Sequence, residues 1–312
     1  MDEQVDQVSS PAVSHSFARL VAHTRDVYCR SVAETTKVEI LLNGQKPPHS
    51  SQPNKWATNH FISLQWTSSG AFLLSANADN ILRTFAFPTD NLMSKSCGFL
   101  RPMAAHPFPQ NMYAIAACSW TEDHATAVVS VADIPLQLID FYPDGSTKIV
   151  GSFVMWRLPG EDLLKAYSLA WDSDRNYLIA GLKSCVAIAD PADPQAKPTY
   201  IRTCPMRKAR GYSPSVVHGL VHALSSCPTE RNVFAIGTTG RGLALADRRQ
   251  RDLATAVKVV DDPLNWGITG NGITSINWDS HGQYLLVSER HSDGIQLWDL
   301  RYQGRCLAYL QG

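Results

Sequence analysis

Residues 272–301 read GITSINWDSHGQYLLVSERHSDGIQLWDLR, and this stretch decides the fold. Apolar and polar residues alternate three times, over 272–278, 283–288 and 295–300, with polar turns between the three segments. Alternation with a period of two residues, interrupted by turn residues, is typical of half-buried β-strands. The stretch therefore predicts three consecutive antiparallel strands, of which the last ends at the Trp298-Asp299 pair.

The same unit recurs earlier in the chain. Four copies open with an alternating segment: FISLQW (61–66), YAIAACSW (113–120), AYSLAW (166–171) and GLVHALSSC (219–227). The third strand of a copy ends in Asp140, Asp190, Asp247 or Asp299, at spacings of 50, 57 and 52 residues. Repeats of about this length, with short strands and turns, are typical of β-propeller blades. The sequence predicts an all-β WD-repeat β-propeller with about five recognisable blades.

The segments between these units predict a fourth, outer strand for each blade. Examples are TKIVGSFVMW (147–156), TYIRTC (199–204) and the trailing CLAYLQ (306–311), which we expect at an exposed edge. KVEILLN (37–43) is a candidate for the outer strand of the first blade. We expect residues 1–34 to form a poorly structured tail, and residues 35–312 to form the propeller.

The charges of the chain balance, with 28 basic and 28 acidic residues among 312. A neutral chain has no overall field that draws it to nucleic acid or membrane, so such a partner needs a local patch. The first residues, MDEQVDQVSS, do not resemble a secretory signal, and no apolar run is long enough to span a bilayer. The seven cysteines include no CxxC pair, which indicates reduced thiols in a cytosolic or nuclear protein.

Motifs that carry catalytic chemistry do not occur in this sequence. It contains no GxSxG, P-loop, GxGxxG or HExxH motif, and no Cys/His set with zinc spacing. His218 and His222 are four residues apart, but a predicted strand surrounds them, which favours an ordinary histidine pair over a metal site. We therefore predict no enzyme activity, no metal and no cofactor. An enzyme whose residues converge from distant loops remains the third alternative.

Basic residues gather on one predicted rim of the propeller. In such a fold, the turn after the second strand and the loop that leads into the next blade lie on the same face. That face holds Arg157, Lys183, Arg207, Lys208, Arg210, Arg241 and Arg290, whereas Arg248, Arg249 and Arg251 lie opposite. Cations next to Tyr212 suit phosphate contact and base stacking, so RNA binding is a hypothesis for this face. The alternative is a set of solvated loops.

Other repeat residues are predicted to be structural. Asp79 and Asp293 lie in tight turns, where a carboxylate usually accepts hydrogen bonds from backbone amides. Trp298 and Asp299 end a packed strand, and Arg83 lies within a strand.

Four segments, taken in order, resemble the telomerase Cajal body protein family of WD-repeat proteins. SANADNILRTFAFP (75–88) is similar to the SADNILR run of its first blade, and YSLAWDSDR (167–175) to HSLxFSPDG. TTGRGLALA (238–246) resembles YGRSLGLY, and residues 272–301 resemble GITxLxFxPDGxxxxSGxRKDxxLxxWDLR. The resemblance covers about residues 55–312. Arg83, Arg241, Arg290 and Arg301 lie where the family also carries Arg.

The resemblance implies a non-enzymatic scaffold of the nucleus and its Cajal bodies, present also in the cytoplasm. Its implied partners are small Cajal-body RNAs, telomerase RNA with its ribonucleoprotein, Cajal-body proteins, and the cytosolic chaperonin during folding. The scaffold would recruit these RNAs to Cajal bodies. The alternative is a protein-interaction propeller of the spliceosome or another nuclear assembly, without direct RNA binding.

Two departures from the family pattern are visible. The family has a His shortly before the last GIT strand, whereas Thr269-Gly270-Asn271 stand here, so a His–Asp network is not carried over to this blade. The family also continues for about two more blades after the position of Gly312. We therefore expect a C-terminally short propeller, with an open arc or a gap between the first and last blades.

Overall fold

A computed structural model of the chain contains five four-stranded antiparallel sheets, which are the blades of a β-propeller. The structure describes residues 28–31, 38–41, 61–86, 99–118, 123–155, 164–172, 177–193, 196–204, 216–259, 267–301 and 306–311. Within these ranges there is no helix long and apolar enough to span a membrane.

Strands account for most of the described chain. The first eleven are β1 Tyr28–Ser31, β2 Val38–Leu41, β3 Phe61–Trp66, β4 Phe72–Asn77, β5 Ile81–Ala86, β6 Phe99–Leu100, β7 Ala104–Pro107, β8 Met112–Cys118, β9 Ala125–Val131, β10 Leu136–Phe141 and β11 Thr147–Phe153. The next twelve are β12 Ser168–Asp172, β13 Tyr177–Gly181, β14 Cys185–Ala189, β15 Thr199–Arg202, β16 Val221–Ser226, β17 Val233–Thr238, β18 Gly242–Asp247, β19 Leu253–Lys258, β20 Ile273–Trp278, β21 Tyr284–Glu289, β22 Gly294–Asp299 and β23 Cys306–Gln311.

Each blade takes four strands in chain order, which we name a to d. Blade 1 is β3-β4-β5-β7, and blades 2 to 5 begin at β8, β12, β16 and β20. Contacts between consecutive blades run chiefly through their a strands, so these strands lie innermost and the d strands outermost. A separate three-stranded sheet is formed by β1, β2 and β6.

Apolar cores between consecutive blades hold the propeller together. Each of the four cores takes buried side chains from two neighbouring blades, such as Leu74 and Val129 between blades 1 and 2. A single sheet leaves one apolar face uncovered, and stacking on the next blade removes that face from water. Strands that are covered on both sides are buried throughout, as in β4 and β9, whereas β3 alternates between half-buried and exposed residues.

Hydrogen bonds from a strands cross three of these four interfaces. Gln65 of blade 1 donates to the carbonyl of Ile115 at 2.8 Å and accepts from the Ala117 amide at 2.9 Å. Ser168 Oγ of blade 3 donates to the Val221 carbonyl of blade 4 at 2.8 Å. Trp278 Nε1 of blade 5 donates to the Ser225 carbonyl of blade 4 at 2.9 Å. These bonds fix the position of each blade relative to its neighbour.

The sequence prediction of an all-β propeller with about five blades is confirmed. The trailing segment CLAYLQ forms β23 over the predicted residues, and it is the outer edge of blade 5. KVEILLN was the candidate for the outer strand of blade 1, and this prediction is wrong. Its residues 38–41 pair with β1 and β6, whereas β7 returns antiparallel beside β5 as the d strand does in every other blade.

Apolar side chains are exposed on the outward faces of the first and last blades. On blade 1, Leu64 and Trp66 lie on the face opposite Gln65 and are 49% and 45% exposed. On blade 5, Ile295 and Leu310 lie on the face opposite the core with blade 4 and are 42% and 54% exposed.

The expected gap between the first and last blades stays a prediction, as does the tail boundary at residue 34. β1 lies within that predicted tail and pairs with β2.

Candidate binding face

The turns between strands b and c of all five blades lie on one face of the propeller, which we call the b–c face. Each of these turns holds one non-glycine residue in the left-handed backbone region, with φ between 58° and 63°. These residues are Asn80, Asp133, Ser184, Arg241 and His291. Non-glycine residues adopt this conformation rarely, so its recurrence once in each blade is a shared feature of the five turns. The face therefore presents five turns that each contain one left-handed residue.

In blade 1, the predicted structural residues Asp79 and Arg83 contact each other in the b–c turn. Arg83 is only 1% exposed, and its guanidinium donates to Asp79 Oδ1 at 3.0 Å and to Oδ2 at 2.6 Å. Asp79 also accepts from the backbone amide of Ile81 at 3.1 Å. The two side chains close the turn, and the buried cation has its countercharge.

Two tyrosines and a lysine meet at the junction of blades 2 and 3. The rings of Tyr113 and Tyr167 pack edge to face, with their centroids 5.7 Å apart. Lys165 Nζ lies 5.6 Å from the centroid of the Tyr113 ring and 3.4 Å from Asp133 Oδ1. The hydrogen bond to Asp133 raises the pKa of Lys165. The ammonium group is thus held by a ring face and a carboxylate.

At the junction of blades 3 and 4, the exposed Lys183 lies in a turn whose backbone joins the next blade. Lys183 forms a β-bridge with Leu220, which leads into the a strand of blade 4. Beside it, Cys204 Sγ lies 3.3 Å from Nδ1 of His218, while the backbone amide of Thr203 donates to the Ser184 carbonyl. The predicted position of Lys183 on the b–c face therefore has direct backbone support.

Arg241 of blade 4 is occupied by an ion pair to blade 5. Its Nε donates to Glu289 Oε2 at 2.8 Å and to Oε1 at 3.2 Å, and Nη2 reaches the Ile268 carbonyl at 3.4 Å. The Glu289 side chain is fully buried, and that of Arg241 is 17% exposed. This predicted RNA-binding cation thus joins two blades in the structure, and its contact with RNA stays a prediction.

The b–c turn of blade 5 carries Arg290 and Asp293. Asp293 accepts hydrogen bonds from Thr269 Oγ1 at 2.9 Å, from Gln311 Nε2 at 2.6 Å and from the Tyr309 hydroxyl. The bond from Tyr309 is the chief reason why the pKa of Asp293 is lowered to about 2. Thr269, which stands shortly before the GIT strand, thus contacts Asp293 directly. Arg290 is exposed at the other end of the turn.

Bulges in the a strands display side chains that the sequence interpretation did not select. The pairing of strands a and b skips Ile62, Tyr113, His222 and Thr274 in blades 1, 2, 4 and 5. A bulge leaves one residue out of the ladder and often redirects its side chain near functional sites. His222 was weighed only as a metal ligand, and the described residues contain no group of three His, Cys, Asp or Glu suited to a metal.

The opposite face carries a second repeated arrangement. Arg249 forks onto Asp247, with Nη2 2.6 Å from Oδ2, and Arg301 forks onto Asp299 at 2.7 Å. Arg248 stacks on Tyr177 of blade 3, with the guanidinium carbon 4.2 Å from the ring centroid. These contacts organise the ends of the c strands.

Trp298, which was predicted to be structural, is 4% exposed between blades 4 and 5.

Four of the predicted cations cannot be placed. Arg157, Arg207, Lys208 and Arg210 lie outside the described residues. Of the predicted RNA-binding residues, the structure brings Lys183, Arg241 and Arg290 to the b–c face, on three consecutive blades.

Comparison with known proteins agrees with the class of this fold. No family model matches the chain. It is similar to the guanine nucleotide-binding protein negative regulator 1 of Schizosaccharomyces pombe, with 25% identity over 272 residues. The match covers 81% of this chain and 63% of the relative, so the chain spans less than two thirds of that protein's length. The fold and this relative support a WD-repeat-like propeller that acts as a protein-interaction scaffold, and they favour a non-catalytic role.

Proposed function

We propose that this chain is a non-catalytic scaffold that binds a partner protein on its b–c face. The pairing of charges on that face carries the proposal. Three cations there have carboxylate partners, in the pairs Arg83–Asp79, Lys165–Asp133 and Arg241–Glu289. A face built to hold a polyanion gains its affinity from cations that neutralise phosphates. Cations that already have partners are better suited to the mixed polar rim of a protein interface.

The shape of the face supports the same conclusion. Each of the five turns contains one left-handed residue, and these residues differ from turn to turn. A rigid ring of loops on a packed sheet framework is a common arrangement for binding, because the framework fixes loops whose residues vary. The aromatic pair Tyr113 and Tyr167 adds apolar contact area, and tyrosine is enriched in interface cores.

The similar yeast protein suggests which partners to test first. By its name, that relative is a negative regulator of a guanine nucleotide-binding protein. A guanine nucleotide-binding protein, or a component of an assembly that contains one, is therefore the first partner class for this chain.

RNA binding is the second candidate, favoured by two residues of the face. Lys183 and Arg290 are exposed, and neither forms an ion pair with another described residue. Together with the resemblance to the telomerase Cajal body protein family, they support a scaffold that recruits small Cajal-body RNAs and telomerase ribonucleoprotein in the nucleus. In this candidate the cytosolic chaperonin folds the propeller, and Cajal-body proteins and RNAs are its partners.

Crosslinking in cells separates the two candidates. The wild-type chain, Lys183→Glu/Arg290→Glu and the opposite-face control Arg251→Glu would be crosslinked and purified with and without ribonuclease. The proposal expects defined protein partners that resist ribonuclease, are kept by the control and are lost from the double variant. RNA crosslinks lost from the double variant, with no ribonuclease-resistant partner, would establish the second candidate instead. Partners that bind all three chains equally would show that the b–c face is not the binding surface.

A further inference from the structure

We propose that this chain associates with a second copy of itself, with the outward face of blade 5 of one copy packed on strand β3 of blade 1 of the next copy. The surfaces involved are not the b–c face, so this inference goes beyond the proposed function and does not depend on it. Each copy carries both halves of the contact.

The outward face of blade 5 is an apolar surface that extends over three strands. Leu286 of β21, Ile295 of β22 and Leu310 of β23 are all exposed, Leu286 by 38%. Ile295 pairs with Leu310, and Leu286 pairs with Leu297, two residues along β22 from Ile295, so all four side chains share one side of the sheet. A contiguous exposed apolar surface on a folded protein usually marks an interaction site.

The same positions are buried in blade 1, where a following blade covers them. The first three strands of blades 1 and 5 pair in the same register, with one bulge at the second residue of the a strand. By this register, Leu286 corresponds to Leu74. Ile295 corresponds to Leu82, and both Leu74 and Leu82 are fully buried in the core between blades 1 and 2. Blade 5 therefore exposes to solvent the side chains of an inter-blade core.

Strand β3 of blade 1 supplies the complementary half of such a core. By the same register, Leu64 corresponds to Ile276, which is buried against blade 4. Trp66 corresponds to Trp278, whose Nε1 donates to the Ser225 carbonyl of blade 4 at 2.9 Å. Leu64 and Trp66 keep the apolar character of these positions, yet both are exposed. Blade 1 thus presents the kind of strand that packs on a preceding blade.

The exposed part of blade 1 is limited to this innermost strand. Leu73 and Phe85 lie on the same side of the blade but are buried. The innermost strand is also the part that contacts a preceding blade, because β20 of blade 5 lies against β16 and β17 of blade 4. The equivalent placement puts β3 of a second copy against β20 and β21, so we expect Leu64 near Leu286 in the contact.

A second copy fits both surfaces, because one chain carries the two halves and does not join them. Leu64 and Leu286 are each exposed within a single chain, so neither covers the other. The facing strands FISLQW (β3) and CLAYLQ (β23) contain no charged residue, so packing them together buries no ion on these strands. The contact joins two different surfaces, so it is head to tail and can extend into a row or a closed ring of copies.

The oligomeric state of the purified full chain tests this contact. Sedimentation velocity over a concentration series would compare the wild type with Leu64→Glu, Leu286→Glu and the control Ile149→Glu, each checked for an unchanged melting temperature. Ile149 is 47% exposed on the outer strand of blade 2, away from both surfaces. We expect reversible association of the wild type, and a dissociation constant raised at least about tenfold by either leucine variant. The control should stay within about twofold of wild type.

Mixing the two leucine variants tests the head-to-tail arrangement. Leu64→Glu retains an intact blade 5 face, and Leu286→Glu retains an intact β3. An equimolar mixture should therefore form a one-to-one dimer that grows no further, although each variant alone is monomeric. This recovery also shows that both variants are folded.

Four results would overturn the proposal. The first is a wild-type chain that stays monomeric at every concentration, which leaves the two surfaces to closure within one chain or to another protein. The second is equal weakening by Ile149→Glu. The third is undiminished self-association of Leu64→Glu, which would mean that two blade 5 faces meet each other. The fourth is an equimolar mixture of the two leucine variants that remains monomeric.

Discussion

Arg241 of blade 4 and Glu289 of blade 5, 48 residues apart in sequence, form a buried ion pair with Nε 2.8 Å from Oε2. Removing one partner leaves the other charge uncompensated, which typically costs about 3–5 kcal/mol. We expect Arg241→Gln and Glu289→Gln each to lower the free energy of unfolding by this order, measured by denaturant titration. The double variant Arg241→Met/Glu289→Met should lose less than the two single losses combined.

The matched control is Arg249→Gln on the opposite face. Arg249 makes a similar fork onto Asp247 but is 70% exposed, so its loss should cost much less than the loss of Arg241. Equal costs for the two arginines would contradict the structural role of Arg241. Because Arg241 joins blades 4 and 5, a charge reversal at this residue would destabilise the fold, and a loss of RNA binding could not be assigned to a lost RNA contact.

Ser184 tests the left-handed turn geometry. Its φ is 61°, a conformation that glycine adopts without steric cost and other residues do not. We expect Ser184→Gly to raise the unfolding free energy by about 0.5–1 kcal/mol, despite the greater freedom of glycine in the unfolded chain. Ser184→Val should lower it by more than 1 kcal/mol, roughly, since a β-branched side chain clashes there. The measurement is thermal unfolding, and a stabilising valine would refute the turn assignment.

Trp298 and Trp66 form a matched pair of tryptophans. Trp298 is 4% exposed and donates from Nε1 to Gln296 Oε1 at 3.0 Å, whereas Trp66 is 45% exposed. We expect Trp298→Ala to cost about 3–5 kcal/mol, because it empties a core site between blades 4 and 5. Trp66→Ala should cost less than half as much. If purified Trp298→Ala melted within about a degree of wild type, the packing of β22 would be wrong.

Asp293 predicts a defined window of acid sensitivity. Its pKa is lowered from 3.8 to about 2, chiefly by the hydrogen bond from Tyr309. A carboxyl with a depressed pKa in the folded state contributes stability above its unfolded pKa and loses it as the pH falls toward the folded value. The difference in unfolding free energy between wild type and Asp293→Asn should therefore be constant above about pH 5 and shrink between about pH 4 and 2. A difference that does not change with pH would show that the three hydrogen bonds to Asp293 are not formed.

Much of the fold was predictable because strand signals are local. The alternation in FISLQW and GIQLWD is imposed by side chains that point to opposite sides of one sheet, so neighbouring letters reveal it. The trailing CLAYLQ coincides with β23 for the same reason. The outer strand of blade 1 was misassigned, because alternation identifies a strand without identifying the strand it pairs with.

The candidate site was only partly predictable, because its contacts are not local. The sequence marks Arg241 as a cation after a glycine, but Glu289 becomes its neighbour only when blade 5 stacks on blade 4. His222 stands out only once the bulge in β16 is seen, since a bulge depends on pairing with β17. Lys183 and Arg290 were predicted on the b–c face because topology alone puts those turns there.

The five left-handed turn residues imply unequal freedom for the five turns during evolution. At Asn80, Ser184 and His291 the left-handed backbone conformation matters more than the particular side chain. Substitution among glycine, asparagine and aspartate at these positions should therefore leave the blade undisturbed during evolution. Arg241 must meet the same backbone requirement and also neutralise Glu289, and no other residue type does both equally well. New binding specificities should therefore arise by substitution in the turns of blades 1, 3 and 5, while the turn of blade 4 stays the same.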